Sequence, residues 1–447
     1  MAPLVWWNVK QELSKNGLET GLEQYAVFGQ VLSKKNNTVR KPVLLNTNAP
    51  WSAFLCGSQG SGKSHALSCM LENCLLQNEA IGKNPKPLAG LVFHYDNCQS
   101  SGVCEAAYLC TKVPTTVLVS PSYYGELKKQ YENMAQQYGG KITVEKLQLR
   151  SEHLNIDRMK TLMAVGKEND MPLYMQVIFK ILRDMAVANG GTGRFSYRDF
   201  KTKLQAKQFL DKQTGPLTMR IDLLESFLHN SVTKSLFNSQ SGPNILCSEP
   251  GTLTIVDLTD PLVDVDFACA LFNICLSIFI SQTQTQTKCG KIVALDEAHK
   301  YMNNASAGVS DFTDRLLTTI REQRHVGTRV VIATQEPGIN EALLDLCSIT
   351  MVHRCTSPAW FAVLKKHIAG LYLGSGNEGD VEGSSHDKAT LEQIVRLKLG
   401  ESLLFCAGAA VDMVDGKVVK MAQGRVRFRT RERLTADGGK TKLADGV

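Results

Sequence analysis

Eight consecutive residues, GSQGSGKS from Gly57 to Ser64, have the composition and spacing of a phosphate cradle. They match G-x-x-x-x-G-K-[ST] at every fixed position. Its glycines let the backbone bend until successive N–H groups converge on phosphate oxygens, and a helix starting there adds its positive end. The nucleotide-binding candidates are therefore Gly57, Ser58, Gln59, Gly60, Ser61, Gly62, Lys63, Ser64 and the adjoining His65. Lys63 would reach the β- and γ-phosphates, and the Ser64 hydroxyl would ligate Mg²⁺. A second group of chemical residues closes the apolar run "KIVALDE". A carboxylate at the C-terminal end of a buried strand faces the crevice where open α/β sheets bind ligands. Asp296 would hold Mg²⁺ through water, and Glu297 would polarise an attacking water. The chemistry these residues can do together is hydrolysis of Mg-ATP.

Such residues need a sheet to hold them. Short apolar runs alternate with helical segments, the pattern of a parallel sheet flanked by helices. Expected strands are 52–57, 89–96, 115–120, 252–258, 291–297, 328–335, 349–355 and 401–406. Most are continuous in Val, Ile and Leu, as strands buried on both faces should be. The fold class expected is α/β: a P-loop NTPase (RecA/ASCE-like) mostly parallel sheet with a mainly helical insertion. "PLYMQVIFKILRDMA" and "PLTMRIDLLESFLHN" read as amphipathic helices of that insertion. The boundaries read as an N-terminal extension over 1–50, a core over 51–121 and 245–434, the insertion over 122–244, and a tail over 435–447. "SQTQTQTK" (281–288) and "GSGNEGDVEGSSHD" (374–387) read as surface loops. The second matches GxGxxG, but acidic residues stand where phosphates would lie, and "DVEGSS" is a poor helix start.

Composition narrows the class further. With 43% hydrophobic residues the chain can build a core, and its +7 charge is too mild to demand a nucleic-acid partner. The charge is unevenly spread: from Arg425 to Val447 seven Lys/Arg stand against three Asp/Glu. The N-terminus has no basic-then-apolar leader pattern. The apolar run Phe267–Ile280 is shorter than the roughly 20 residues a membrane span needs, so a buried helix is expected. Thirteen scattered cysteines without zinc spacing read as reduced thiols in an intracellular protein, in cytoplasm or nucleus.

The tetrapeptide Asp296-Glu297-Ala298-His299 names a helicase class, but more than half the chain separates Lys63 from Asp296, and no second motor domain follows. Four blocks instead resemble the HerA–FtsK superfamily, nearest its HerA-like branch, which is related to type IV secretion ATPases. They are "GSQGSGKS", "PGTLTIVDLTDP", "IVALDEAHK" and "IREQRHVGTRVVIATQEP". The match covers most of 50–100 and 245–410. The resemblance implies that Gln335, ending the strand after the Asp-Glu strand, senses the γ-phosphate. It also implies an arginine that reaches a neighbouring subunit's nucleotide, Arg324 by its spacing to Gly327 or Arg321 one helical turn earlier. The active unit would then be a homo-oligomer, typically a hexameric ring, moving double-stranded DNA. A motor acting on protein and an ATP-controlled assembly switch stay open. "HYDNCQSSG" keeps Asp96 of a family turn and lacks the rest, and 50 residues before the loop are too few for the family's N-terminal barrel.

Finally, "GRVRFRTRERL" places Arg425, Arg427, Arg429, Arg431 and Arg433 at period two, on one side of a strand. They read as a phosphate-gripping ladder, as an edge strand protected against pairing, or as contacts to a neighbour's nucleotide.

Overall fold

The computed structural model describes residues 1–17, 22–32, 41–96, 102–163, 173–191, 195–207, 209, 211–229, 246, 249–281, 289–303, 306–372 and 381–438. Its strands, in chain order, are β1 (Leu4–Trp6), β2 (Tyr25–Val31), β3 (Lys41–Asn46), β4 (Ser52–Cys56), β5 (Gly82–Lys83), β6 (Ala89–His94), β7 (Thr115–Val119) and β8 (Ile142–Lys146). They continue as β9 (Leu253–Asp257), β10 (Lys291–Leu295), β11 (Thr328–Thr334), β12 (Ile349–His353), β13 (Glu401–Phe405), β14 (Ala410–Val414), β15 (Lys417–Lys420) and β16 (Val426–Thr430).

All belong to one sheet of order β15-β14-β1-β3-β2-β16-β13-β12-β4-β11-β10-β6-β9-β7-β8, with β5 beside β2. From β12 to β8 every neighbouring pair is parallel. These are the strands whose apolar runs are unbroken, and helices bury both of their faces. The eight strands expected from the sequence are all present. From β13 to β3 the pairing is antiparallel.

Two apolar cores lie on the two faces. One gathers Phe93, Phe272 and Phe312 under the long apolar helix Val265–Ser281. The other holds Met351, Leu404 and Phe428 with the helix Lys63–Leu75. Among the described residues no helix is long and apolar enough to cross a membrane.

Residues 1–50 lend β1, β2 and β3 to the sheet, and the mainly helical stretch 122–244 lends β8. Helices Leu173–Ala188 and Asp211–Ser226 form in that stretch.

Two expectations need correction. The second surface loop does not run to Asp387, because a helix occupies Val381–Val395. Its GxGxxG glycines and most of "SQTQTQTK" lie outside the described residues. The arginine series is not an edge strand: β16 is paired on both sides, with β13 and β2. Nor are its five arginines one ladder, because the strand ends at Thr430. Arg431 and Arg433 instead belong to a strap across the helix Lys63–Leu75. There the buried Glu72 accepts from Leu434 N–H at 3.0 Å, Thr435 N–H at 2.9 Å and Arg431 Nη1 at 2.7 Å. Arg433 Nη1 pairs with Glu105 at 2.6 Å. Non-local carboxylates, invisible to strand periodicity, take these two side chains.

Candidate active site

Gly57 to Gly62 leave the end of β4 and turn into the helix Lys63–Leu75. Two glycines are required by space as well as by torsion. Gly57 (φ 153°) would put a Cβ 2.7 Å from His353 Cβ, and Gly62 (φ 103°) would put one 2.9 Å from Gly400 N. No real side chain fits at such distances. Ser58 ties the loop to the end of β12, donating to Arg354 O from its N–H at 2.9 Å and its hydroxyl at 2.8 Å. Gln59 and Gly60 are exposed at the tip, while Ser61 is buried. Ser64 is half-buried in the first helical turn, and His65 beside it donates from Nε2 to Arg431 O at 2.8 Å. Lys63 is buried, and its ammonium donates to Ser58 O at 3.0 Å. Burial pulls its pKa below the ordinary lysine range, opposed by the charges of Glu297 and Asp296. That opposition places both acids within electrostatic reach of the loop.

Asp296 follows β10, buried, its N–H donating to Phe93 O at 3.1 Å. Burial, then the adjacent Glu297 charge, raises its carboxyl pKa, while His94 and Lys63 counter the rise. A desolvated carboxylate beside a like charge is a site a divalent cation would relieve. The donors offered, the Ser64 hydroxyl and the Asp296 carboxylate, are hard oxygens that suit Mg²⁺. Among the described residues no group of three His, Cys, Asp or Glu could hold a metal by itself.

Glu297 has φ 47°, a left-handed conformation unusual for a residue with a side chain. Its Oε2 accepts from Gln335 Nε2 at 3.1 Å. Gln335 directly follows β11, the strand standing between the phosphate-loop strand β4 and the Asp296 strand β10. Three adjacent strand ends thus carry Lys63, Gln335 and the acidic pair.

Sequence reasoning misses three histidines here. His299 has no role in the sequence pattern, yet its Nδ1 lies 3.3 Å from Glu297 Oε2 and accepts weakly from the Gln335 N–H at 3.5 Å. Burial holds this imidazole below its ordinary pKa. His353, fully buried against Gly57, is pushed down to about 3 by burial and the Lys63 charge. His94 sits in register between Asp296 and Asp257 on three neighbouring strand ends. Its Nδ1 is 3.1 Å from Asp257 Oδ1. No local signal marks His353 or His94, because their contacts join segments far apart in the chain, whereas His299 stands two residues from Glu297.

Arg321 ends the helix Ala307–Arg321, and Arg324 lies in the turn Gln323–Val326, both exposed. They precede β11, whereas Gln335 follows it. A seven-residue strand spans about 23 Å. Neither arginine therefore reaches the phosphate loop of its own chain.

A glycine-rich loop joining a buried parallel strand to a helix, with the acidic strand two places away in the sheet, defines a P-loop NTPase fold. No family model matches the chain, and no curated protein matches it. Among solved structures the chain is similar to VirB4 of Thermoanaerobacter pseudethanolicus, at 13% identity and TM-score 0.47, covering 92% of this chain and 97% of that one. It is also similar to plasmid coupling protein TrwB in complex with ADP and Mg²⁺, at 11% identity and TM-score 0.45, over 87% and 86% of the chains. A third is the genome packaging NTPase B204 from Sulfolobus turreted icosahedral virus 2, at 9% identity and TM-score 0.32, over 80% and 92%.

Proposed function

We propose that this chain is a Mg²⁺-dependent ATP hydrolase working as an oligomeric motor, a hexameric ring, that translocates double-stranded DNA. The observation that carries the hydrolase reading is the convergence of Lys63, Asp296, Glu297 and Gln335 on three adjacent strand ends. In this reading the loop amides and Lys63 bind the β- and γ-phosphates. Ser64 and Asp296 would hold Mg²⁺, which would supply positive charge to the phosphates. Glu297 accepts the proton of the attacking water, and Gln335 exchanges its hold on Glu297 for the γ-phosphate.

The exposed Arg324, or Arg321 behind it, completes the site of an adjacent subunit. An arginine supplied across an interface accelerates phosphoryl transfer by roughly 10³–10⁵. Arg324→Ala and Lys63→Ala proteins are each expected to be inactive, and mixing them should restore part of the steady-state hydrolysis. No recovery, with Arg321→Ala failing likewise, would remove the trans role.

Double-stranded DNA should raise the hydrolysis rate, less so as salt increases. ATP-dependent assembly with no response to any nucleic acid would sink the translocase reading in favour of an assembly switch. Stimulation by an unfolded polypeptide alone would favour a protein-moving motor.

A further inference from the structure

The arginines of β16 that the strap does not claim share one face of the sheet. Arg425, Arg427 and Arg429 alternate with Val426 and Phe428. Beside them an open cavity of about 660 Å³ lies between β16, the end of β2 and the helix Val381–Val395. Val31 and Val426 contribute apolar lining, and Thr390, Glu392 and Arg396 line it from the helix side.

The charge on this face is not balanced. Arg425 donates to Gly370 O at 3.3 Å and Thr390 Oγ1 at 2.9 Å, both neutral acceptors. Among the described residues no carboxylate pairs with it, although burial desolvates its guanidinium. Arg427 is matched by the buried Glu401, Nη2 to Oε2 at 2.5 Å. Arg396 meets Glu392 at 3.4 Å with both side chains largely exposed, a pair worth little in water. Arg429 is exposed and stands across the strands from Glu401, but its guanidinium makes no hydrogen bond or ion pair among the described residues. Four guanidinium groups therefore stand against two carboxylates, and the uncompensated ones are at the cavity wall and beside it along the strand.

We propose that this face binds the sugar-phosphate backbone of nucleic acid, an inference that rests on the nucleic-acid reading above. Alternate strand residues are about 6.7 Å apart, comparable to the spacing of neighbouring phosphates along one nucleic-acid strand. The positive row continues beyond the cavity to Arg429, which suits an extended polyanion better than a compact one. Contacts of guanidinium to phosphate position a strand without reading its sequence. The row lies on the face of β16 away from Phe428, which packs in the core under the helix Lys63–Leu75. Its Arg429 end comes near the phosphate loop: Glu401, opposite Arg429, adjoins Gly400, whose N–H donates to Ser61 O at 3.4 Å.

The test is fluorescence anisotropy of a labelled 30-mer oligonucleotide, single- and double-stranded, across a salt series with the full chain. The Arg396→Ala/Arg429→Ala protein changes only exposed side chains, and an unchanged melting temperature verifies its fold. Its affinity should fall about tenfold at 50 mM salt, and its salt slope should flatten by about 1.4–1.8, the sum for two lost phosphate contacts. Arg425→Ala should lose a further contact, while Arg425→Lys keeps the charge and should bind like the wild type. If the wild type binds and the double variant binds equally with the same slope, this surface is excluded and the motor reading stands. If the wild type binds neither oligonucleotide at low salt, both fall together.

Discussion

Glu297→Gln should bind ATP as tightly as the wild type and hydrolyse it about 10²–10⁴-fold more slowly, the usual weight of a general base. The substitution conserves shape, and the amide oxygen it introduces could still accept from Gln335 Nε2. What it removes is the ability to take a proton from water. Phosphate binding rests elsewhere, on the loop amides and on Lys63, whose ammonium donates to Ser58 O. Glu297 is one of the charges that hold the Lys63 pKa up against burial, so the substitution lets it drop further. Asp296 keeps supporting that charge and the loop amides are untouched, so binding should move by no more than a few-fold. Labelled-nucleotide titration and single-turnover hydrolysis on the same preparation separate the two effects. Turnover within tenfold of the wild type would take the base role from Glu297. Loss of binding would instead mean that Glu297 shapes the loop.

The parts of this site that are legible in the sequence are those governed by local pattern. The phosphate loop is eight contiguous residues, and β4, β10 and β11 announce themselves as unbroken apolar runs because both of their faces are buried. Gln335 is placed by the resemblance of its block to the family pattern, not by local periodicity. The rest depends on register between distant segments. Nothing around His353 tells that it will fill the space a Gly57 side chain would need, since that contact exists only once β12 lies beside β4. Arg431 and Glu72 are separated by most of the chain, so a period-two reading assigns Arg431 to a strand ladder rather than to its buried acid. The same blindness hides the strand character of 1–50: β2 and β3 are half-exposed or short on apolar continuity, and β16, the partner of β2, is at the other end of the chain. In the site, too, the sequence reading of Glu297 is chemical and cannot include the Gln335 amide that donates to it.

Asp257→Asn should be the most destabilising single change near the site, by about 3–5 kcal/mol, the cost of breaking a buried pair from one side. Asp257 is fully buried, faces His94, and accepts from Tyr131 and from Thr259 N–H at 2.9 Å. Burial favours its protonated form, but His94 and these donors outweigh burial and hold the carboxyl below its ordinary pKa. For His94 burial favours the neutral ring, and the Asp257 charge outweighs it, holding the pKa above the ordinary value. The raised His94 pKa gives the native state stability that is complete below the unfolded value of about 6.5. That stability is lost as pH rises through the higher folded value. In the Asp257→Asn protein the counter-charge is gone, so the buried ring titrates below its unfolded value and the native state weakens as pH falls. Urea unfolding should therefore show a larger gap between wild type and variant at pH 6 than at pH 9. An equal gap at both would mean that His94 is not charged in the folded protein. Asp296 lies in the same row, so loss of the His94 charge also removes the first of the groups opposing the rise of its pKa. The pair that stabilises this end of the sheet thus also supports the ionised state of the carboxylate assigned to Mg²⁺.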